Sequence, residues 1–331
     1  MFCQIIFRVK KTVSSLDKNS QICYIQTVKK VSGFMVAKIF FLTVILMLPL
    51  SCQKKVPTQS EDNKKTVLCT TFSVYDWVRN ILGNNSDITP ILLFAGVDMH
   101  NFFATAETFV TVSQSDLLVT VGGISEHWTD ELPQSMQPKS MLKLSSNSDE
   151  DEHIWLSLRD ATSSCEKIRD KLIEVFPEEK ARFTENCRRY IEEIWTLERE
   201  LSAIASENNG KKVIFADRFP FGPFFHDEIF TSNDIECFAA FSSCGTESAA
   251  SFNQLVFLGE KIQQFDVKTI FVSENSDKKI ATSLMELIDR KDISVVELDS
   301  MQIVSWEEIN SGKSYLKTMA ENISVLREGL R

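Results

Sequence analysis

Short apolar runs recur along most of this chain, and a helical pattern of apolar positions follows most of them. The runs lie at 66–72, 88–94, 116–123, 211–217, 236–241, 269–274 and 294–299. Short apolar runs bounded by turn residues predict buried strands, and strands that alternate with helices predict a parallel sheet covered on both faces. The sequence therefore predicts an α/β fold built on mainly parallel sheets.

The middle of the chain has a different pattern. Between Arg159 and Glu207, apolar residues recur at spacings of three and four, and charged residues fill most other positions. This spacing predicts helices. Pro177 separates a shorter predicted helix from a long one, and the segment "ENNG" at 207–210 is a helix stop signal.

These patterns predict two α/β lobes, each a mainly parallel sheet flanked by helices. The N-terminal lobe is predicted over residues 66–158 and the C-terminal lobe over residues 211–331. Residues 159–210 form the predicted helical linker, so a long rigid helix joins the lobes.

The N-terminal segment resembles a leader rather than part of the fold. One lysine precedes an apolar run from Ile39 to Leu50, and Ser51 and Cys52 follow it. The run is too short for a comfortable membrane span and is flanked like a secretion signal. A small residue followed by cysteine is typical of a bacterial lipoprotein signal, which predicts a lipid on Cys52. A plain cleaved signal and a retained anchor are the alternatives.

We therefore assign residues 1–52 to the leader and favour Met35 as its true start. The polar segment 53–65 is predicted to be a flexible tether. With the leader removed, Cys237 and Cys244 form a candidate disulfide outside the cytoplasm, and free or buried thiols are the alternative.

Composition narrows the function. The chain has 36 Lys and Arg against 46 Asp and Glu, and its formal net charge is −10. Nucleic-acid binding needs clustered basic residues, so this charge argues against it. An acidic chain suits a protein that handles cations.

Four candidate ligands follow predicted strands, where ligands collect in parallel α/β sheets. His100 follows the run at 88–94, and His153 follows the segment "MLKLSS" at 141–146 and a short acidic loop. Asp217 and Asp299 end the runs at 211–217 and 294–299. Imidazole favours zinc, copper or iron, whereas carboxylates also admit manganese. A structural histidine, or an aspartate in a turn or helix cap, is the alternative for each.

Two histidine segments resemble the metal-binding lipoproteins of bacterial zinc and manganese ABC importers, the cluster A-I solute-binding proteins. They are "GVDMHNFFATAETFVTVSQSDLLVTVGGISEHW" at 96–128 and "DEHIWLSLRDA" at 151–161. The segments "FADRFPF" at 215–221 and "AAFSSCGTESAASF" at 239–252 resemble a less-studied branch of that family. The resemblance implies that His100 and His153 are the first two metal ligands.

The resemblance also has consequences for other residues. Ala216 occupies the position of a third histidine in many members, so Asp217 is the candidate replacement there and Asp299 the candidate at the last strand end. Cys244 and Glu247 are further, less favoured candidate ligands. Trp155 and Leu156 are expected to pack beneath His153, and Asp151 or Glu152 to orient its ring. His127 and His226 are expected at the surface.

The implied function is capture of Zn²⁺, or alternatively Mn²⁺, between the lobes and delivery to an ABC permease with its ATPase. The implied protein is a monomer outside the cytoplasm, in the periplasm or at the cell surface, and is held to the membrane by its lipid. We expect no enzymatic activity. A surface adhesin without metal transport is one alternative, and a zinc hydrolase is another, although the chain has no H-E-x-x-H segment.

Overall fold

The computed structural model describes residues 64–84, 87–145, 151–242, 244 and 250–331. Residues 63–331 cluster as one compact unit. The predicted leader, with Met35 and Cys52, and nearly all of the predicted tether lie outside the described residues, as does Glu247. No helix among the described residues is both long enough and apolar enough to cross a membrane.

The N-terminal part of the described chain is built on a four-stranded parallel sheet. Its strands are β1 Lys65–Cys69, β2 Ile88–Leu92, β3 Leu117–Thr120 and β4 Met141–Lys143, in the order β2-β1-β3-β4. Helices α1 Phe72–Leu82 and α2 Ala106–Ser113 connect them. All four residues of β3 are buried, as expected for a central strand covered on both faces.

Two consecutive helices follow this sheet, α3 Leu158–Val175 and α4 Lys180–Glu207. Pro177 lies in the turn between them, as the sequence predicts. With 28 residues, α4 is about 42 Å long at 1.5 Å per residue. It buries Phe183, Cys187, Tyr190, Ile194, Leu201 and Ile204, which recur at spacings of three and four, whereas Leu197 in the same series is half-buried.

A second four-stranded parallel sheet follows α4. Its strands are β5 Lys212–Phe215, β6 Glu236–Ala239, β7 Thr269–Ser273 and β8 Ser294–Leu298, in the order β6-β5-β7-β8. Its helices are α5 Gly222–Phe225, α6 Glu228–Thr231, α7 Phe252–Phe265, α8 Lys279–Leu287, α9 Trp306–Asn310 and α10 Tyr315–Gly329. The predicted fold class is confirmed, and the residue limits of the lobes stay a prediction.

The last helix, α10, packs back against the first and the long helix. The rings of Trp77 and Tyr315 meet edge to face, with centroids 5.3 Å apart. Beside them the fully buried Asp76 accepts hydrogen bonds from the Tyr190 hydroxyl at 3.0 Å and from the Tyr315 backbone N–H at 3.1 Å, and it pairs with Arg79. These contacts join α1, α4 and α10 around one buried carboxylate.

Candidate metal centre

His100 lies on the loop that follows β2. It occupies a single helical turn, Met99–Asn101, whose cap is Asp98, and Asp98 Oδ1 accepts the His100 backbone N–H at 3.0 Å. Asp98 also accepts a hydrogen bond from the Asn101 side chain at 2.8 Å. The local sequence "DMHN" therefore fixes the backbone that carries the imidazole, and this side chain remains 26% exposed.

His153 lies on the loop between β4 and α3 and is buried, with 3% of its surface exposed. The Trp155 ring packs against the imidazole edge to face, with centroids 5.2 Å apart. Trp155 is itself held at both polar ends, because its Nε1–H donates to the Ser300 carbonyl and its own carbonyl accepts from the Tyr315 hydroxyl, each at 2.8 Å. Leu156 is fully buried beside it.

Folding brings the two imidazoles together. The Nε2 atoms of His100 and His153 lie 3.3 Å apart. Two nitrogen ligands of one tetrahedral zinc ion, each about 2.0–2.1 Å from the metal, are about 3.3 Å apart. The separation of the two nitrogens therefore fits one shared cation.

Each imidazole is oriented by its own carboxylate. Asp151 Oδ1 lies 2.5 Å from His153 Nδ1, and Glu152 Oε1 lies 3.0 Å from His100 Nδ1, where Ser125 Oγ is also 2.9 Å away. A carboxylate accepts the Nδ1–H, which leaves the lone pair on Nε2. Two lone pairs therefore face each other, an arrangement that needs a donor or a cation between them.

The sequence predicts that Asp151 or Glu152 orients the His153 ring. In the structure Asp151 alone orients His153, whereas Glu152 orients His100.

Gln302 supplies the group between the lone pairs. Its Nε2 lies 2.9 Å from His100 Nε2 and 2.7 Å from His153 Nε2, so the amide can donate one hydrogen to each ring. Sequence reasoning missed this residue, although it lies on the loop after β8, the strand end at which Asp299 was selected. A neutral amide gives no charge signal, and only the fold shows where it points.

Cys244 is the third potential ligand. Its sulfur and the imidazole nitrogens of His100 and His153 all lie within 4.8 Å of one another, the only such cluster of three metal-binding side chains among the described residues. Gln302 Nε2 lies 3.5 Å from the sulfur. Burial raises the pKa of the thiol to about 12. Cys237 and Cys244 are both free, so the candidate disulfide is not formed.

The two predicted aspartate ligands are not in this cluster. Asp299 Oδ2 pairs with Lys313 Nζ at 2.5 Å, and Oδ1 accepts the Met301 backbone N–H at 2.8 Å. A lysine ammonium thus occupies one of its oxygens and the backbone the other. Asp217 Oδ1 accepts the Arg218 backbone N–H at 2.8 Å, and the residue lines a cleft of about 700 Å³ that also includes Gln302. Of the four residues, only the two histidines are brought together.

Charges near the cluster are perturbed by burial and pairing. The pKa of His100 is raised, chiefly because its ring is hydrogen-bonded to Glu152. Burial raises the pKa of Glu152, but hydrogen bonds from His100 and Ser125 outweigh burial and lower this pKa to about 2. A further carboxyl, Glu126, accepts the Gly122 N–H at 2.7 Å, and burial raises its pKa to about 7.

The other two histidines are exposed, as expected from the sequence. His127 lies 3.4 Å from Asp130, and its side chain is 69% exposed. His226 ends the short helix α5, whose aromatic residues are buried. Neither belongs to the cluster around Gln302.

Comparison with known proteins places the chain in a family. Residues 67–329 match the family model described as ZnuA, zinc-uptake complex component A, periplasmic. Zinc-binding protein AdcA of Streptococcus pyogenes is 22% identical over 299 residues, with 80% of this chain and 56% of AdcA covered, so the chain spans about half the length of that relative. The high-affinity zinc uptake system protein ZnuA of Bacillus subtilis is 24% identical over 329 residues, with 91% of this chain and 98% of ZnuA covered.

A solved structure shares the fold. The Zn(II)-bound ZnuA-like domain of Streptococcus pneumoniae AdcA superposes with a TM-score of 0.66 at 21% identity, covering 81% of this chain and 99% of that domain. The predicted resemblance to the cluster A-I metal-binding lipoproteins is thereby confirmed. Because the family model matches residues 67–329, which are most of the chain, the chain belongs to the family of periplasmic zinc-uptake component A proteins.

Proposed function

We propose that this protein is the extracytoplasmic solute-binding component of an ABC importer, and that it captures a divalent transition metal at His100 and His153. The observation that carries the proposal is the facing pair of Nε2 atoms 3.3 Å apart, each ring held by a carboxylate on its Nδ1. Carboxylate-oriented imidazoles are the usual arrangement of histidines that bind metals.

Zinc is the favoured cargo and manganese the alternative. Imidazole nitrogen suits zinc, whereas manganese prefers carboxylate and water oxygens. The two carboxylates nearest the pair, on Asp151 and Glu152, are already engaged with the Nδ1 atoms. The curated relatives are described as zinc-binding and zinc-uptake proteins, which supports the same choice.

The assembly and location follow from the family and the sequence. We propose that a lipid on Cys52 holds the protein at the outer face of the cytoplasmic membrane, where it acts as a monomer and delivers the metal to a permease and its ATPase. The periplasmic description of the family supports this location. Binding and release, rather than catalysis, are the proposed activity, in line with relatives described as binding and uptake proteins.

Calorimetry on metal-free protein tests metal capture. Zn²⁺ titration should give one site, and His100→Ala and His153→Ala should each weaken it at least about 100-fold, since removing a ligand should cost no less than removing its outer-shell partner. His127→Ala is the matched control because its ring is exposed. Absence of binding heat with Zn²⁺ and Mn²⁺ would refute the proposal and favour the adhesin alternative.

Delivery needs a separate test. Deleting the gene should reduce growth of the producing bacterium under zinc chelation, and added zinc should restore it. Complementation with the His153→Ala gene should fail at the zinc level where the His127→Ala gene succeeds. Equal complementation by both genes would show that zinc delivery does not need the histidine cluster.

A further inference from the structure

One cysteine of the described chain faces nitrogen ligands rather than a hydrophobic core. Cys69 directs its sulfur to the Val67 carbonyl, and Cys187 directs its sulfur to the Cys165 carbonyl, all among buried residues. The sulfur of Cys244 instead lies within 4.8 Å of both imidazole nitrogens and 3.5 Å from the Gln302 amide nitrogen. With 7% of its surface exposed, Cys244 is shielded from solvent.

The Gln302 amide nitrogen lies close to all three potential ligand atoms. Its Nε2 lies 2.9 Å from His100 Nε2, 2.7 Å from His153 Nε2 and 3.5 Å from Cys244 Sγ. One point in space is therefore within reach of three potential ligand atoms that come from three different loops. An ion bound there would take the place of the amide hydrogens, so Gln302 must move aside when the metal enters.

We propose that the thiolate of Cys244 is the third protein ligand of this site, an inference that rests on the proposed metal capture. The incoming M²⁺ binds the sulfur while the thiol proton leaves to solvent, so one proton is released and no electron is transferred. The resulting site has two neutral imidazoles and one thiolate, with the fourth position open for an exchangeable ligand.

The geometry needs only a small adjustment. In a tetrahedral site with a Zn–N distance of about 2.0–2.1 Å and a Zn–S distance of about 2.3 Å, the nitrogen and sulfur atoms are about 3.6 Å apart. The Cys244 sulfur lies within 4.8 Å of both nitrogens, so a shift of at most about 1.3 Å brings it to that separation. The nitrogens already have the required separation.

The thiolate defines the class of cargo. Sulfur ligands select zinc and other borderline or soft ions, whereas manganese prefers oxygen ligands. A His₂Cys set therefore makes this a zinc site with strong discrimination against manganese. Two imidazoles alone would discriminate less, so Cys244 determines the specificity.

Cobalt substitution tests the inference directly on the full chain. Co²⁺ replaces zinc in such sites, and a cobalt–thiolate bond gives an intense near-ultraviolet charge-transfer band that nitrogen and oxygen ligands lack. Wild-type protein should show this band at one equivalent of Co²⁺. Cys244→Ser should lose it, and Cys237→Ser, a control that removes a partly buried thiol from β6, should keep it.

Zinc X-ray absorption and competition provide the second readout. The wild-type zinc complex should contain one sulfur at about 2.3 Å, which the Cys244→Ser complex should lack. Zinc affinity of Cys244→Ser should fall at least about 10–100-fold while manganese affinity changes little, so that the preference for zinc narrows. Thermal unfolding of the metal-free variants checks that each is folded.

The outcomes distinguish the thiolate ligand from the proposed metal capture on which it rests. A wild-type protein that binds one Co²⁺ or Zn²⁺ without a sulfur signal, or a signal that survives in Cys244→Ser, would overturn the thiolate ligand and leave metal capture standing. A wild-type protein that binds neither ion would overturn both. Loss of the signal in Cys244→Ser alone would establish the ligand.

Discussion

Glu152→Gln tests how a carboxylate that does not touch the metal sets the acid limit of binding. Glu152 Oε1 lies 3.0 Å from His100 Nδ1, and this contact raises the pKa of His100. Glutamine has nearly the same shape but no charge, so its amide oxygen accepts a weaker hydrogen bond. The imidazole should become both a poorer metal ligand and a poorer base.

The two effects have opposite consequences along the pH axis. Above the pKa of His100 the ring is neutral, and loss of the outer carboxylate should weaken zinc binding by about 10–100-fold, or about 1.4–2.8 kcal/mol. Below that pKa a proton must leave His100 before the metal binds, which costs about tenfold in affinity per pH unit. The wild type enters this regime at higher pH than Glu152→Gln, so the two affinities should converge as the pH falls.

The zinc affinities of wild type and Glu152→Gln are measured by competition with a fluorescent zinc chelator. The measurements run from about pH 5.5 to about pH 8, where histidines usually titrate. Glu131→Gln is the matched control, because Glu131 is an exposed carboxylate 3.9 Å from the exposed His127. A constant ratio between wild type and Glu152→Gln across the range, or equal affinities at the alkaline end, would refute the assignment of Glu152 to His100.

The same variant has a stability signature in the metal-free protein. The pKa of Glu152 is lowered from 4.5 to about 2, so its contribution exists above about pH 4.5 and is lost as the pH falls towards 2. The pKa of His100 is raised from 6.5, so its contribution exists below about pH 6.5 and is lost as the pH rises through the raised value. Urea unfolding should therefore show the largest deficit of Glu152→Gln between these limits, roughly 1–2 kcal/mol after allowing for partial solvent screening.

Two further variants separate structural from ligand carboxylates. Asp299→Asn should leave the zinc affinity within about threefold of wild type. It should lower the unfolding free energy by about 1 kcal/mol, because the carboxylate pairs with Lys313. A loss of zinc affinity above about tenfold in calorimetry would instead identify Asp299 as a ligand. Asp76→Ala should lower the unfolding free energy by about 3–5 kcal/mol in urea titration, because Arg79 and the Tyr315 N–H lose a buried partner. The folded fraction of Asp76→Ala should still bind one zinc ion, and an unfolding free energy equal to that of wild type would contradict the proposed structural role of this carboxylate.

The sequence predicts the strands well because their apolar runs are short and separate. β3 and β7 lie within the predicted runs 116–123 and 269–274. Their short length favours strands over buried helix segments, and the glycines and polar residues around them limit where they end. The two helices around Pro177 are predicted from the spacing of their apolar residues. They are predicted as separate helices because proline cannot continue a helix.

The candidate site is predicted only in part, because strand ends specify a region rather than an atom. His100 and His153 follow β2 and β4, which are the two edge strands of the first sheet. Cys244 and Gln302 follow β6 and β8, the two edge strands of the second sheet. Asp217 follows β5, a central strand, and Asp299 pairs with Lys313, so neither carboxylate lies in the cluster although both follow strands of the second sheet.

The triplet Asp151–Glu152–His153 shows why no list of candidate ligands could replace the fold. Asp151 accepts hydrogen bonds from both the backbone N–H and the Nδ1–H of His153, so one carboxylate fixes the position and the orientation of that ring. Its neighbour Glu152 points away to His100, which is 52 residues earlier in the chain. One short loop thus aligns both imidazoles, and this explains a histidine placed directly after two acids. A charge-conserving exchange of the two acids would shift neither the net charge nor the composition, yet aspartate at position 152 is one methylene shorter and should leave His100 without its carboxylate partner.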